Sequence, residues 1–268
     1  GNVNGSYNYV AWCWKAGGNK NTFNVDDVGY ASFAASGTTA GTITPTGTSI
    51  GTKQGFSIIK YQGTGANATI PHGLSQSLDF VIVKTLTDSS INWTLWHNVL
   101  AGTEYLTFTS NEKGSQAAVW NSTVPTSSVI NVGTDVGTNK DNDNYIAYCW
   151  HNVPGLQKFG SYTGSSGKTF VNLGFRPALL VIKFYDGTDV GSHAGWKVID
   201  NQRNPINISG IMQKLAWDVS EAENGGTTIS TSEGKVDFLS NGFRILDNHS
   251  PFNTAGRNYI YMAWAEAP

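Results

Sequence analysis

Charged residues are scarce in this chain of 268 residues. Asp, Glu, Lys and Arg make up 13% of it, against about 25% in a typical globular protein. The net charge of -2 offers no electrostatic basis for binding nucleic acid or the surface of an anionic membrane. The polar surface must therefore consist of Ser, Thr, Asn and many of the 31 glycines, a composition common among extracellular β-proteins.

Long apolar runs are also missing. None approaches the roughly 18 residues that a membrane-spanning helix needs, so we expect no insertion into a membrane. The chain begins at Gly1 with neither an initiator Met nor a signal peptide, and we expect the natural gene product to start earlier. The length suffices for one large domain or two ordinary ones, each with a core of its own.

One aromatic stretch occurs three times, at residues 9–14, 145–150 and 259–264. Its aromatic and β-branched residues predict a short β-strand in each copy. Cys13 and Cys149 occupy the same position in two copies, and the third copy has Ala there. A position that accepts Cys or Ala is typical of a small buried site. Equivalent positions of separate repeats are poorly placed for a disulfide, so we expect two free, buried thiols.

The segments between these copies also match each other, at an offset of about 100 residues. Residues 80–84 correspond to 179–183, for example. We therefore predict an all-β fold with two tandem repeats, at 55–152 and 153–268, each an antiparallel β-sandwich of the jelly-roll kind. Residues 1–54 then hold an N-terminal orphan strand and a Gly- and Thr-rich connecting segment. That segment is either an ordered loop with short strands or a linker.

Several short motifs resemble catalytic or metal-binding signatures, and each lacks a required part. Residues 164–169 end like a phosphate-binding loop, but Tyr162 stands where its first glycine belongs. Residues 47–51 match a hydrolase nucleophile elbow but lead into another strand. Residues 139–143 have carboxylates at alternate positions, as many calcium loops do, but the later glycine and glutamate of such a loop are absent. The five histidines lack metal-ligand spacing. We therefore predict a non-enzymatic protein with no catalytic residue, no cofactor and no metal.

The nine tryptophans invite a carbohydrate-binding interpretation, because sugar rings stack on indoles. Most of them align between the repeats with tryptophan or with another large apolar residue, which is typical of a core. Trp120 alone has no secure counterpart. Together with the adjacent Asn121, it is the best sequence candidate for an exposed ligand contact, and a core or interdomain position is the alternative.

Eight segments carry a family resemblance: residues 9–18, 55–61, 71–74, 145–151, 158–164, 174–177, 238–243 and 259–266. They resemble a repeated β-domain of tailed phages that is abundant in marine phage genomes and assigned to tail fibres and other virion surface proteins. The resemblance covers nearly the whole chain and implies a location on the virion surface, outside the cell. It supplies no catalytic residues. It also implies that longer proteins of this family have another copy of the repeated domain before the strand equivalent to residues 9–14.

These observations favour a non-enzymatic virion surface component, of the tail-fibre type, that attaches to a host surface glycan or protein. With so little charge, the contacts would be shallow ones made by aromatic side chains and by Asn, Ser and Thr. Other virion subunits, including further copies of the chain in a homo-oligomer, are the expected partners. Neither nucleic acid nor a membrane is expected.

Two alternatives remain open at this point. One is a self-assembling structural, decoration or filament subunit. Its orphan strand, with Tyr7, Tyr9, Val10, Trp12 and Trp14, is apolar on both faces and would complete the sheet of a neighbouring subunit. The other is a polysaccharide-degrading enzyme, because β-sandwiches carry such activities and paired acids are seldom visible from their spacing.

Overall fold

The computed structural model describes residues 10–109, 113–186, 195–203, 207, 213–218, 235–246 and 252–266. Strands hold 42% of the chain and helices 3%, which confirms the all-β class. The helical parts of the described ranges are α1 (Ala117–Trp120) and a 3-10 turn (Ala34–Ser36). No helix in these ranges is both long enough and apolar enough to cross a bilayer.

We call residues 10–152 the first half of the chain and residues 153–266 the second half. The first half contains eleven of the described strands, and the second half contains eight. The first are β1 (Phe23–Val25), β2 (Val28–Tyr30), β3 (Gly47–Gly51), β4 (Phe56–Gln62), β5 (Ala68–Pro71), β6 (Phe80–Thr85), β7 (Thr94–His97), β8 (Glu104–Thr107), β9 (Gly114–Ser115), β10 (Val129–Val132) and β11 (Asn144–Trp150). The second are β12 (Gln157–Thr163), β13 (Thr169–Asn172), β14 (Pro177–Phe184), β15 (Lys197–Asp200), β16 (Leu215–Ala216), β17 (Val236–Leu239), β18 (Gly242–Ile245) and β19 (Asn258–Ala265).

These strands form four sheets, none of which closes on itself. Sheet 1 has the order β2-β1-β3-β4-β11-β6-β7-β8-β9, and sheet 2 pairs β10 with β5. Sheet 3 has the order β12-β19-β14-β15-β16, and sheet 4 the order β13-β18-β17. Strands β1 and β3 run parallel, whereas the other paired strands run antiparallel.

The strand orders of the two halves correspond. The order β4-β11-β6-β7-β8 in sheet 1 matches β12-β19-β14-β15-β16 in sheet 3, and the pair β10-β5 matches β18-β13 in sheet 4. Residues 15–54 supply β1, β2 and β3 to sheet 1. Of the two alternatives for that segment, the ordered loop with short strands is therefore the one observed.

A pair of stacked tyrosines recurs in both halves. Tyr61 and Tyr145 stack with ring centroids 5.2 Å apart, and Tyr162 and Tyr259 stack at 5.1 Å. The hydroxyls of Tyr61 and Tyr162 each donate to a backbone carbonyl at 2.6 Å. Burial raises the pKa of both hydroxyls well above the ordinary value for tyrosine. Each ring therefore stays neutral, and its hydroxyl fixes a loop to the strand below it.

A buried asparagine accompanies each tyrosine pair. The Oδ1 of Asn139 accepts from the backbone N–H of Thr64 at 2.8 Å, and that of Asn253 accepts from the N–H of Ser165 at 3.0 Å. Each amide also donates to a carbonyl of the same turn at 2.6 Å. These bonds hold the turn between β4 and β5 and the turn between β12 and β13. Residues 164–168 thus form a turn between two strands, whereas the phosphate-binding loop that their sequence resembles leads from a strand into a helix.

The two halves share one apolar core. Phe80 of the first half stacks on Phe159 of the second with ring centroids 5.8 Å apart, and Trp150 lies 6.4 Å from Trp264. The indole nitrogen of Trp196 donates to a backbone carbonyl of the first half at 3.0 Å. One cluster of buried apolar side chains accordingly contains residues of both halves.

Sheet 3 is buried on both faces. Along β14, Leu179 and Val181 belong to the shared core, whereas Leu180 and Ile182 belong to a second cluster within the second half. Because side chains alternate between the faces of a strand, one face packs on the first half and the other packs on sheet 4. A strand in this position needs an unbroken apolar run, which residues 179–182 supply.

The predicted N-terminal strand does not form over its described residues. Residues 10–14 belong to no sheet, and Tyr7 and Tyr9 lie outside the described ranges. Both cysteines are free, and Cys149 is buried as predicted. The prediction of a buried thiol is wrong for Cys13, which is exposed. The reason is that the neighbouring indoles turn inward along this segment and leave Cys13 facing solvent.

Gln157 supports a test of the contact between the halves. Its buried side-chain NH2 group shares its two hydrogens among the carbonyls of Gln54, Gly55 and His151, at 3.0, 3.0 and 2.8 Å. Gln157→Ala should lower the free energy of unfolding by about 1–3 kcal/mol, because buried carbonyls lose their donor. The matched substitution Gln62→Ala, at an exposed position of β4, should change it by less than about 0.5 kcal/mol. Urea unfolding measures both, and equal effects would contradict this role.

Candidate functional site

An aromatic cleft of about 520 Å³ opens between the two halves of the chain. Ten aromatic side chains and two isoleucines line it: Trp12, Trp14, Phe56, Ile58, Phe80, Ile82, Trp93, Phe108, Tyr148, Trp150, Trp217 and Trp264. Strands β4, β6 and β11 each contribute two of these residues, at positions i and i+2. Such positions lie on one face of a strand, so sheet 1 forms the floor of the cleft.

The tryptophans of the three repeated stretches meet at this cleft. Trp14 lies 6.3 Å from Trp150 and 5.2 Å from Trp264, and the latter two lie 6.4 Å apart. All three pairs are edge-to-face, an arrangement that favours aromatic contact beyond the area buried. Phe56 stacks on Trp150 at 4.7 Å. The three tryptophans at this position of the repeated stretch therefore all contact one another.

The N-terminal segment is held against the cleft by its indoles. Trp12 lies 6.5 Å from Trp217, and the guanidinium of Arg203 lies 5.9 Å from the centroid of the Trp12 ring. Val10, by contrast, is 39% exposed. Trp12 and Trp14, which the sequence proposes as assembly residues, thus make side-chain contacts within their own chain.

The walls of the cleft carry no charged side chain. Their polar groups are the Tyr148 hydroxyl and the indole N–H groups. Burial raises the pKa of Tyr148, so this hydroxyl stays protonated at neutral pH. The N–H groups of Trp12, Trp150 and Trp264 are buried and have no acceptor in the described part of the chain. A buried donor without an acceptor costs about 1–3 kcal/mol. Trp96 and Trp120, which do not line the cleft, carry two further indole N–H groups of this kind.

A smaller hollow of about 200 Å³ lies among the loops of the first half. It is lined by Val25, Ser36, Gly37, Thr38, Thr39, Gly73, Ser75, Ser127 and Ser128. Six of these residues carry hydroxyl groups and none is charged. Positive φ angles at Gly37 (68°), Gly73 (74°) and Ser75 (57°) turn two of the loops sharply, which brings hydroxyls from distant parts of the chain together.

Two buried histidines are held in the neutral form. The Nδ1 of His72 accepts from the backbone N–H of Leu74 at 3.3 Å, and that of His97 accepts from the N–H of Val99 at 3.4 Å. The Nε2 of His97 lies 3.4 Å from the carbonyl of Tyr261 in the second half, so Nε2 carries the proton. Burial lowers the pKa of both rings to about 4. Within the described ranges, no three metal-binding side chains come together.

Trp120 does not form an exposed contact, whereas Asn121 is half-buried. Trp120 ends α1, is fully buried and belongs to the shared core. Asn121 follows it in the left-handed conformation with a φ of 51° and caps the helix. The sequence prediction of an exposed ligand contact is therefore wrong for Trp120. Its alternative, a core position, is the one observed, because α1 packs against β10 and turns the indole inward.

The nucleophile-elbow pattern lies within β3, an interior strand of sheet 1. Its Ser49 hydroxyl donates to the Oδ1 of Asn24 at 2.9 Å and accepts from the backbone N–H of Gly17 at 3.0 Å. A hydrolase nucleophile requires a sharp turn from a strand into a helix, which this position does not provide. Ser49 instead joins β3 to neighbouring segments.

The profile of one protein family matches residues 1–268, the whole chain. It is DUF7483, a domain of unknown function. The chain belongs to this family. No curated protein and no solved structure matches the chain significantly. Membership of DUF7483 therefore assigns neither a ligand nor an activity to either recess.

Comparison of the repeats within the sequence predicted neither the cleft nor the hollow. The cleft walls come from segments at both ends and in the middle of the chain, and periodicity cannot reveal that they meet. The available signal was the coincidence of Trp14, Trp150 and Trp264 in the repeat, which a separate core in each repeat explains equally well. The hollow left a weaker signal, because serine and threonine are frequent throughout this sequence.

Acid should destabilise the fold through the two histidines. In the unfolded chain, His72 and His97 protonate near pH 6.5, and in the folded chain they protonate near pH 4. Between these values the unfolded state binds more protons, so stability falls as the pH drops from about 6.5 to 4 and is unaffected by these groups above about 7. Each ring should contribute a loss of about 2–3 kcal/mol at about pH 4.5.

Urea unfolding at neutral and acidic pH measures this loss. The difference in stability between the two pH values should be smaller in His97→Gln than in the unsubstituted chain, and smaller again in the variant that also carries His72→Gln. A pH dependence that neither substitution changes would contradict the assignment. Carboxylates elsewhere titrate equally in all three proteins and cancel in the comparison.

Proposed function

We propose that the chain consists of two tandem β-sandwich repeats of the jelly-roll kind and is a non-enzymatic component of a virion surface. Its role is host attachment of the tail-fibre type, and its ligand is a host surface glycan or protein. The observation that carries this proposal is the hydroxyl-lined hollow in the loops of the first half. The resemblance of eight segments to tailed-phage surface proteins supports the location.

Serine and threonine hydroxyls suit a neutral, hydroxyl-rich ligand. Each hydroxyl can donate one hydrogen bond and accept two, as the hydroxyls of a sugar do. The six hydroxyl-bearing side chains surround a volume of about 200 Å³, which admits a small group and keeps the contact shallow. The hollow also lies on loops, which tolerate sequence change and commonly carry binding sites.

A free strand edge favours assembly as a second candidate function. Strand β4 pairs with β3 on one side and β11 on the other, whereas its counterpart β12 pairs along its length only with β19 among the described strands. On the open side of β12, Gln157 bridges to Val153, and the N–H of Phe159 donates to Asn152. Strand alternation then turns the backbone N–H and C=O of Ser161 outward, where a strand of another subunit could pair.

The contacts of the N-terminal indoles bear on how such assembly would occur. Trp12 and Trp14 pack on aromatic side chains of their own chain. Exchange of this segment between subunits would remove those contacts. The edge of β12 is therefore the better candidate for pairing between subunits than residues 7–14 are.

The attachment proposal predicts that blocking the hollow weakens binding to the host surface. Thr39→Arg places a long charged side chain at an exposed position of the hollow. It should reduce binding to a glycan array of bacterial surface polysaccharides, or to intact bacterial cells, at least about tenfold. Ser89→Arg, at an exposed position outside the hollow, adds the same charge and should leave binding unchanged. No binding by the intact protein in either assay, or equal loss in both variants, would refute the proposal.

The assembly candidate predicts that proline at the edge of β12 blocks association. Ser161→Pro removes an outward N–H, and an edge strand tolerates proline at such a position. The substituted chain should keep its far-ultraviolet circular dichroism but lose concentration-dependent self-association in light scattering. Ser161→Ala, which retains the N–H, should associate like the unsubstituted chain. A chain that stays monomeric at high concentration without any substitution would exclude this candidate.

A further inference from the structure

We propose that the aromatic cleft between the halves is a binding site for a small, uncharged, mainly apolar ligand that carries a hydrogen-bond acceptor. This site is separate from the hydroxyl-lined hollow and goes beyond the attachment role proposed above. The inference depends on four properties of the cleft: its size, its lack of charge, its unpaired donors and the way its wall is held.

The size of the cleft selects a small molecule. Binding sites for small molecules typically measure about 300–1,000 Å³, and many lie where two domains meet. The cleft measures about 520 Å³ and lies between the two halves of the chain. A core formed only by packing leaves few voids larger than a water molecule. An opening of this size among twelve large apolar side chains is thus more than a packing defect.

The absence of charged side chains from the lining favours a neutral ligand. No Asp, Glu, Lys or Arg lies in the walls, so an ionic ligand would lose its hydration without gaining a counter-ion. Aromatic faces can attract an organic cation, but the guanidinium of Arg203 already lies over the Trp12 ring at the margin of the cleft. A second positive charge would be repelled there. Charge complementarity therefore favours an uncharged molecule.

The polar groups of the lining exclude an ordinary sugar. Sugar hydroxyls are donors that need acceptors once they are buried, and Tyr148 offers the single hydroxyl in these walls. The unsatisfied polar groups of the lining residues are instead donors. The indole N–H groups of Trp12, Trp150 and Trp264 lack acceptors in the described residues. A ligand with a carbonyl or ether oxygen and few donors matches this pattern.

The covering segment provides access to the cleft. The three unpaired nitrogens are themselves buried, so a ligand oxygen reaches one of them only when that indole turns about its side-chain bonds. Of the three, Trp12 lies in a segment that belongs to no sheet, so its movement breaks no strand pairing. Ile58 lies on the floor and is only half-buried, which marks a point where the cleft is open. A ligand can therefore enter without separation of the two halves.

The fluorescent ketone Prodan is a suitable probe, because it is neutral, apolar and bears a carbonyl acceptor. Titration of the full chain with Prodan should give a saturable blue shift of its emission. Ile58→Trp, which fills the cleft, should weaken this binding at least about tenfold. Val28→Trp adds the same indole at a position of edge strand β2 that is 52% exposed and does not line the cleft, and it should change binding less than about twofold.

Circular dichroism confirms that each variant is folded, and Ile58→Phe, a smaller change, replaces Ile58→Trp if the latter unfolds. Competition then tests the acceptor: 2-acetylnaphthalene should displace Prodan at a lower concentration than 2-isopropylnaphthalene, which has a similar shape but no oxygen. Absence of saturable binding, or equal binding in Ile58→Trp, would overturn the site. Equal potency of the two competitors would overturn the requirement for an acceptor.

Discussion

Burial of aromatic surface between the two halves is the constraint on which the rest of the structure depends. Sheet 3 carries apolar side chains on both faces, so one face needs a partner outside its own half, and the face of sheet 1 that bears Phe80 and Trp150 provides it. A large aromatic side chain buries about 150–250 Å², worth about 4–6 kcal/mol before entropic costs. Polar contacts from Gln157, Trp196 and His97 then fix how the halves meet.

The two recesses follow from two different parts of the repeat. The hollow arises where loops with positive φ angles converge, and loops are the part of a β-fold that can change without loss of the core. The cleft arises where the tryptophans of the three repeated stretches approach each other and do not fill the space completely. Hydroxyl groups dominate the first recess and indoles the second, so the ligands suited to them differ in kind. The proposed attachment and the proposed small-molecule binding therefore rest on different parts of the chain.

Much of the fold could be predicted from the sequence, because it depends on local pattern. The apolar run at 179–183, the two stretches at 145–150 and 259–264 and the glycine-rich turns all form the predicted strands and turns. The stretch at 9–14 contains the same residue types but forms no strand over its described residues, where Trp12 and Trp14 pack on aromatic side chains and the backbone pairs with no strand. Trp120 shows the same limit, since a lone tryptophan gives no sign of whether a short helix will bury it. The candidate sites could not be predicted from the sequence, because their walls combine segments that are far apart in the chain.

The three-way contact of Trp14, Trp150 and Trp264 has a consequence for how the sequence can change. In a rotationally symmetric oligomer, one mutation alters every copy of a position at once. Here the copies lie in one chain and mutate separately, yet each indole touches the other two. Substitutions at contacting residues are not additive, so the effect of replacing one tryptophan depends on which residues occupy the other two positions. The repeats are duplicated in sequence, but at this position they are bound to evolve together.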